Sequence, residues 1–178
     1  SIRVPAACCG LFGLKPTRAR ISCGPDFGEI WSGLGTIHAI TRTVRDSALL
    51  LDISAGPALG DPYFAPAQNE SYSSILKKAC PTLKIAYSTQ FLQNTHQADE
   101  DMNQAVEKAA KYCHNLGHKV EVINYEIDES IINSIMNVIV PVNTAWTLNM
   151  RAQQTNNMYN NTNVEPITLM LAEIGSKI

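Results

Sequence analysis

The first 22 residues hold the groups best suited to form a site, because polar and reactive side chains there stand among small residues and glycines. Glycine lets two backbone segments approach closely and lets the chain take a positive φ. Pro16 removes a hydrogen-bond donor from a strand, so residues 10–15 are predicted to be a short buried strand that ends at this proline. This crowding by small residues indicates a place where the backbone is held tightly around another group.

Four segments of the sequence carry a specific resemblance. Residues 1–10 read SIRVPAACCG and residues 13–17 read GLKPT, and they are followed by residues 40–52, ITRTVRDSALLLD, and by residues 60–63, GDPY. In order and spacing these segments resemble the amidase signature family, in which the nucleophilic serine ends a Gly-Gly-Ser turn and precedes Ile-Arg, a proline and Cys-Gly. Beyond Tyr72 only the general alternation of strands and helices is similar.

The resemblance implies hydrolysis by covalent acyl transfer. Family members use a Ser–Ser–Lys arrangement, in which an unprotonated lysine takes a proton through a bridging serine and the nucleophilic serine attacks the amide. Backbone N–H groups of the glycine turn stabilise the oxyanion. Ser1 stands at the position of the nucleophile, and Arg3 at that of an arginine that either meets the substrate or supports the turn. Lys15 belongs to the Lys-Pro-Thr segment and is expected to be a structural or surface residue rather than the base.

The family's upstream glycines, relay serine and lysine base have no counterpart in these 178 residues. We therefore expect residues 1–178 to be an internal fragment of a single amidase domain, with little or no activity alone. Two other origins of Ser1 stay open. It could be a cloning remnant, or at a true N-terminus it could use its own α-amine as the base. The sequence departs from the family at Ala19, where glycine is usual.

Composition restricts the classes of partner. A net charge of −2 argues against nucleic acid and anionic membranes as main partners, and no uninterrupted apolar stretch is long enough to span a bilayer. Five cysteines, an odd number, are expected to be reduced thiols, which favours a cytoplasmic location. His114 and His118 are four residues apart, but Gly117 ends the helix between them. The sequence therefore predicts neither a metal site nor a cofactor.

The hydrophobic pattern predicts an α/β fold with a mixed, largely parallel sheet flanked by helices. Strands are expected at residues 36–43, 83–88 and 118–125, and helices from residue 43 or 44 to before Gly56, at 71–78, 98–116, 128–140 and 143–154, and from Pro166 onward. The strand–helix–strand unit of residues 83–125 implies a parallel pair. In the helix before Gly56, Ala48, Leu49 and Leu51 are expected to face the core and Asp52 to face water. Pro141 is expected to kink or break its helix.

Residues 22–35 form a predicted glycine-rich loop, and long ordered loops often carry binding residues. Trp31 in this loop and Trp146 are candidates, with Arg3, for lining a substrate pocket. His38 is expected to be a satisfied core or edge residue rather than a catalyst.

The predicted function is hydrolysis of a small-molecule carboxylic amide, in concert with the rest of the amidase domain and with a homodimer as a further option. Two alternatives stay open. One is a non-catalytic structural or interaction domain from a degenerate amidase. The other is a component of an amidotransferase that works on charged tRNA.

Overall fold

The computed structural model describes residues 2–90, 98–124 and 128–178. In these ranges the helices are α1 Arg3–Cys8, α2 Val44–Ser54, α3 Tyr72–Ile75, α4 Glu100–Asn115, α5 Glu129–Thr155 and α6 Pro166–Gly175. The strands are β1 Phe12–Gly13, β2 Ile40–Thr41, β3 Lys84–Tyr87 and β4 Lys119–Val122. The chain divides into two compact units, one formed by residues 1–79 and 139–178 and the other by residues 80–138. The α/β class is as predicted.

The strands of the described residues form two separate pairs. β1 runs antiparallel to β2, with Gly13 opposite Ile40, and β3 runs parallel to β4, with Ile85 opposite Val120. The parallel pair confirms the predicted strand–helix–strand unit around α4, although Tyr125 at its expected end lies outside the described residues. The expected single, largely parallel sheet is not seen in the described ranges. Strands extend only where a neighbour accepts their hydrogen bonds, and each strand here has one neighbour.

Helix α2 begins and ends as predicted. The side chain of its N-cap Thr43 accepts the backbone N–H of Asp46 at 3.1 Å, and the helix stops before Gly56, whose φ is 134°. Its buried face contains Ser47, Ala48 and Leu51. The prediction was wrong for Leu49, which is 53% exposed, because at 100° per residue it lies about 200° around the helix from Ser47, on the side opposite the buried face.

Asp52 at the end of α2 stabilises the start of α3. Its carboxylate accepts the backbone N–H groups of Tyr72 at 2.5 Å and Ser73 at 3.0 Å. Hydrogen bonding with Ser73 is the main reason that the pKa of Asp52 is lowered from its ordinary value. Asp52 is half-exposed, and the prediction that it faces water missed these two contacts, because helical spacing within α2 does not reveal that the unpaired N–H groups of another helix lie against it.

Helix α5 continues for 27 residues through Pro141, where a kink or break was expected. A proline removes one backbone hydrogen bond, and the turns on either side remain paired. By length and composition alone, the part of this helix from Ser130 to Thr155 is long and apolar enough to cross a membrane. The sequence pattern did not indicate this, because polar residues interrupt the segment. One such helix is weak evidence for a membrane span. Helix α6 begins with Pro166 in its first turn, as predicted. An added Cβ at its last residue, Gly175, would overlap the carbonyl group of Pro141.

Ala19 occupies a backbone position that suits glycine. Its φ is 61°, in the left-handed region, and its carbonyl oxygen accepts the backbone N–H of Ala65 at 3.1 Å. An L-residue in this region costs roughly 1–2 kcal/mol. This positive φ explains why glycine is usual at this position in the resembled family.

We expect Ala19→Gly to raise the free energy of unfolding of the full-length protein by about 0.5–1 kcal/mol, because relief of the strained φ outweighs glycine's entropy in the unfolded chain. Urea denaturation measures the change. Ala67→Gly is the matched control, since Ala67 is an exposed loop residue outside the positive-φ region and should lose stability slightly. A lower unfolding free energy for Ala19→Gly would contradict the strain at this residue.

Candidate active-site segment

Ser1, the sequence-predicted nucleophile, lies outside the described residues, so the site is built from the segment that follows it. Ile2 is the N-cap of α1, and Ile2 and Ala6 are buried while Arg3 is exposed. A Cβ added to Gly13 of β1 would stand 2.6 Å from the Ala6 Cβ and 2.9 Å from the Ile2 carbonyl oxygen. Strand β1 therefore lies so close to α1 that only glycine fits, which confirms the prediction of a tightly held backbone.

Gly10 turns the chain from α1 into β1. Its φ is 63°, and the backbone N–H of Leu11 donates to the Ala6 carbonyl oxygen at 2.8 Å, so the helix end is closed by a left-handed residue. Beyond β1, Lys15 is exposed and donates to the Pro16 carbonyl oxygen at 2.7 Å, as expected of a surface lysine. Arg3 makes no hydrogen bond or ion pair with another described residue. The role of Arg3 in substrate binding stays a prediction.

The glycine-rich loop contacts α5 through an aromatic pair. The rings of Phe27 and Trp146 meet edge to face, with centroids 5.8 Å apart and an interplanar angle of 68°. Trp146 is 50% exposed and Trp31, four residues after Phe27, is 38% exposed. Trp31 lies in the same loop as Phe27, but the described residues record no ring contact between Trp31 and Trp146, and their place in a pocket stays a prediction. Sequence reasoning missed Phe27, although an aromatic residue beside Trp31 in the same loop was an available signal.

Asp61 of the GDPY segment fastens the start of this loop. One of its carboxylate oxygens accepts the Ser22 hydroxyl at 2.7 Å, and the other accepts the backbone N–H of Ala58 at 2.7 Å. Burial raises the pKa of the neighbouring Cys23 thiol, and the negative charge of Asp61 raises it further. Cys23 therefore keeps its proton at neutral pH and is not prepared to act as a nucleophile.

His38 and Ser47 form the one hydroxyl–imidazole hydrogen bond recorded in the described ranges, with 2.9 Å between Nε2 and Oγ. Ser47 is only 1% exposed, so its hydroxyl is closed to a substrate. His38 thus has the hydrogen-bond partner expected of a satisfied residue, and its non-catalytic role stays a prediction. All five cysteines are free thiols. Within residues 2–90, 98–124 and 128–178 no group of three His, Cys, Asp or Glu side chains is placed to hold a metal ion.

The sequence matches a family model described as Amidase over residues 1–173. It is 34% identical over 131 residues to a putative amidase of Synechocystis sp., which covers 74% of this chain and 25% of that protein. It is 35% identical over 122 residues to the 6-aminohexanoate-cyclic-dimer hydrolase of Paenarthrobacter ureafaciens, covering 67% of this chain and 25% of the hydrolase. It is 36% identical over 126 residues to one subunit of the glutamyl-tRNA(Gln) amidotransferase of Staphylococcus saprophyticus. This match covers 70% of this chain and 25% of that subunit. The chain thus spans about a quarter of the length of the curated relatives it matches.

Two solved structures are also similar. A 6-aminohexanoate cyclic dimer hydrolase complexed with substrate matches with a TM-score of 0.83 and 25% identity, over 99% of this chain and 37% of that one. A bacterial aryl acylamidase of the amidase signature family matches in fold, with a TM-score of 0.75 and 20% identity, over 100% of this chain and 37% of that one. The family match spans both compact units and includes the helix–glycine–strand segment described above. This chain belongs to the amidase signature family.

Proposed function

We propose that the whole protein hydrolyses a small carboxylic amide through a serine acyl-enzyme, with Ser1 as the nucleophile. The observation that carries this proposal is the family match over residues 1–173, which includes Ser1 and the close-packed α1 and β1 after it. A nucleophilic serine needs a backbone that fixes its hydroxyl against the carbonyl carbon. Gly13 and Gly10 supply such a backbone for the residues that directly follow Ser1.

The chemistry has two steps. The Ser1 oxygen forms a bond to the amide carbonyl carbon, and the C–N bond breaks as the leaving nitrogen takes a proton, which leaves an ester. Water then attacks the ester, releases the acid and returns the proton to Ser1. An amide is a poor electrophile and a hydroxyl a poor nucleophile, so both steps need a base and oxyanion donors. The family's lysine and relay serine have no counterpart among these 178 residues, and we infer that the isolated chain is inactive.

The substrate pocket in this proposal is lined in part by Arg3, Trp31 and Trp146. Arg3 is exposed and stands two residues after Ser1 in sequence. Trp31 and Trp146 both have partly exposed rings, and Phe27, from the loop that carries Trp31, contacts Trp146. The rest of the amidase domain completes the pocket, and the whole domain contains a mixed, largely parallel sheet flanked by helices. Five free thiols favour a cytoplasmic enzyme.

Amide hydrolysis by the purified full-length protein tests the proposal. The probes are the 6-aminohexanoate cyclic dimer, chosen because of the similar hydrolase, and an aryl amide such as a nitroanilide. An acyl-enzyme is also attacked by hydroxylamine, so we expect added hydroxylamine to divert part of the product to the hydroxamate. Amide cleavage in which hydroxylamine gives no hydroxamate would contradict the acyl-enzyme.

The second candidate is a component of an amidotransferase, which the 36% identity to the glutamyl-tRNA(Gln) amidotransferase protein favours. Such a component releases ammonia from an amide donor for transfer to an acceptor. Release of ammonia from glutamine with no cleavage of the cyclic dimer or the nitroanilide would favour this candidate. A full-length protein that cleaves none of these amides would leave the non-catalytic alternative, a structural or interaction domain.

A further inference from the structure

The loop that carries Trp31 contains a strained turn. Trp31, Ser32 and Gly33 are three successive residues with positive φ, of 53°, 52° and 78°. The left-handed region is strained for residues other than glycine, so such a conformation persists only where the surrounding contacts hold it. The backbone N–H of Leu34 donates to the Trp31 carbonyl oxygen and that of Gly35 to the Ile30 carbonyl oxygen, both at 3.0 Å. These two hydrogen bonds close the turn.

Three polar side chains converge on the turn from outside. The Tyr63 hydroxyl donates to Glu29 Oε1 at 2.7 Å, across 34 residues of sequence. A Cβ added to the buried Gly33 would stand 3.2 Å from Glu29 Oε1, 3.3 Å from Arg18 Nη1 and 3.4 Å from the Tyr63 hydroxyl. We call Arg18, Glu29 and Tyr63 the turn-holding cluster. Its tips lie close to the α-carbon of Gly33, where an added Cβ would be tight against all three and the positive φ also favours glycine.

The cluster keeps its hydrogen-bonded form at neutral pH. The hydrogen bond to Glu29 is the main reason that the pKa of Tyr63 is raised from its ordinary value, and the positive charge of Arg18 opposes this rise only in part. The tyrosine hydroxyl therefore keeps the proton that it donates. The adjoining cavity, lined by the cluster, holds only about 30 Å³ of solvent space, which is room for roughly two water molecules. This cavity is too small for an amide substrate, although the side chains of the cluster are themselves exposed.

Trp31 keeps part of its ring in solvent on this strained turn. It is 38% exposed, while the turn is closed by backbone hydrogen bonds. The exposed part of the indole ring is a large apolar surface that a ligand can contact. Phe27 of the same loop contacts Trp146, the other candidate pocket aromatic. The strain is consistent with a ring held at a fixed position for a ligand.

We propose that Trp31 determines substrate specificity and that Tyr63 and Glu29 are the positioning residues that hold it. The strained turn orients the indole ring as an apolar wall for the acyl or leaving group of an amide. This inference rests on the proposed function, since it needs a substrate that the ring contacts. It assigns the cluster no role in the chemical step.

The test is Tyr63→Phe in the full-length protein, which removes one hydroxyl and keeps the ring. We expect KM for the nitroanilide to rise by about three- to tenfold while kcat changes by less than about twofold, because a net hydrogen bond of about 0.5–1.5 kcal/mol is lost from positioning and not from chemistry. In a Trp31→Ala background the same change should have no further effect on kcat/KM. Tyr159→Phe is the matched control. It also loses a side-chain hydrogen bond, to Asn149 at 3.1 Å, but lies outside the turn.

Hydrogen exchange gives a readout that does not depend on activity. The amides of Leu34 and Gly35 close the turn, so they should exchange faster in Tyr63→Phe and at the wild-type rate in Tyr159→Phe. Unchanged exchange would overturn the positioning role of Tyr63. Faster exchange with an unchanged KM, or an equal loss of kcat/KM in the Trp31→Ala background, would overturn the role of Trp31. A wild-type protein that cleaves no amide would instead refute the proposed function.

Discussion

Replacement of Ser1 by alanine is expected to lower kcat of the full-length protein on an amide probe by at least about a thousandfold, because the proposed acyl-enzyme has no other oxygen to form on. KM should change little where the hydroxyl contributes mainly to the transition state. The rate of nitroaniline release measures the effect. Thermal unfolding of the same variant should match that of the wild type.

Ser54→Ala is the control for this experiment. Ser54 has an exposed hydroxyl that donates to the Leu50 carbonyl oxygen at 2.7 Å at the end of α2, and its removal should leave kcat within about twofold. Retention of most of the amide hydrolysis in Ser1→Ala would show that the nucleophile is another residue. The match of residues 1–10 to the family motif would then not identify the nucleophile of this protein.

Gly13→Ala is expected to damage stability and activity together. The new Cβ would stand 2.6 Å from the Ala6 Cβ and 2.9 Å from the Ile2 carbonyl oxygen, so β1 and α1 must separate. Such overpacking costs about 1–3 kcal/mol of unfolding free energy. Since α1 directly follows Ser1, displacement of this helix should also lower kcat by about ten- to a hundredfold, as a misplacement of about 1 Å does to a positioned nucleophile.

Two variants separate this packing effect from the general cost of a methyl group. Gly28→Ala should be nearly neutral, because its nearest neighbour would be the Pro62 Cδ at 4.0 Å and its φ is outside the positive region. Ala6→Gly combined with Gly13→Ala removes the closer of the two overlaps and should recover part of the lost kcat. Denaturation and steady-state kinetics measure both quantities. Wild-type stability and kcat in Gly13→Ala would contradict the close packing of α1 and β1.

Local signals predicted the helices well. The helix start at residue 43 or 44, the stop before Gly56 and Pro166 in a first turn depend on backbone groups only a few residues away, and the structure confirms each of them. The close approach at Gly13 was also predicted, because the crowding of small residues is visible in one continuous segment. The departure of Ala19 from the resembled family marked a backbone position whose positive φ the structure then revealed.

Contacts between distant segments were not predictable in the same way. Asp52 caps a helix that begins 20 residues later, and Tyr63 hydrogen-bonds to a glutamate 34 residues earlier. Neither partner can be chosen from spacing within one helix or loop. The strands were predicted too long for a related reason, since strand length depends on neighbours that supply hydrogen bonds. The position of Ser1 stays a prediction from the family motif.

The most direct test of the central claim is to trap the acyl-enzyme on the full-length protein and locate it by peptide mass spectrometry. A slowly deacylating aryl ester would serve as the acyl donor, and digestion would give the peptide that contains Ser1 and the residues of α1. We predict that this peptide gains the mass of one acyl group, that fragmentation places it on Ser1, and that Ser1→Ala abolishes it. An acyl group on any other residue, or labelling that survives Ser1→Ala, would contradict the assignment of Ser1 as the nucleophile.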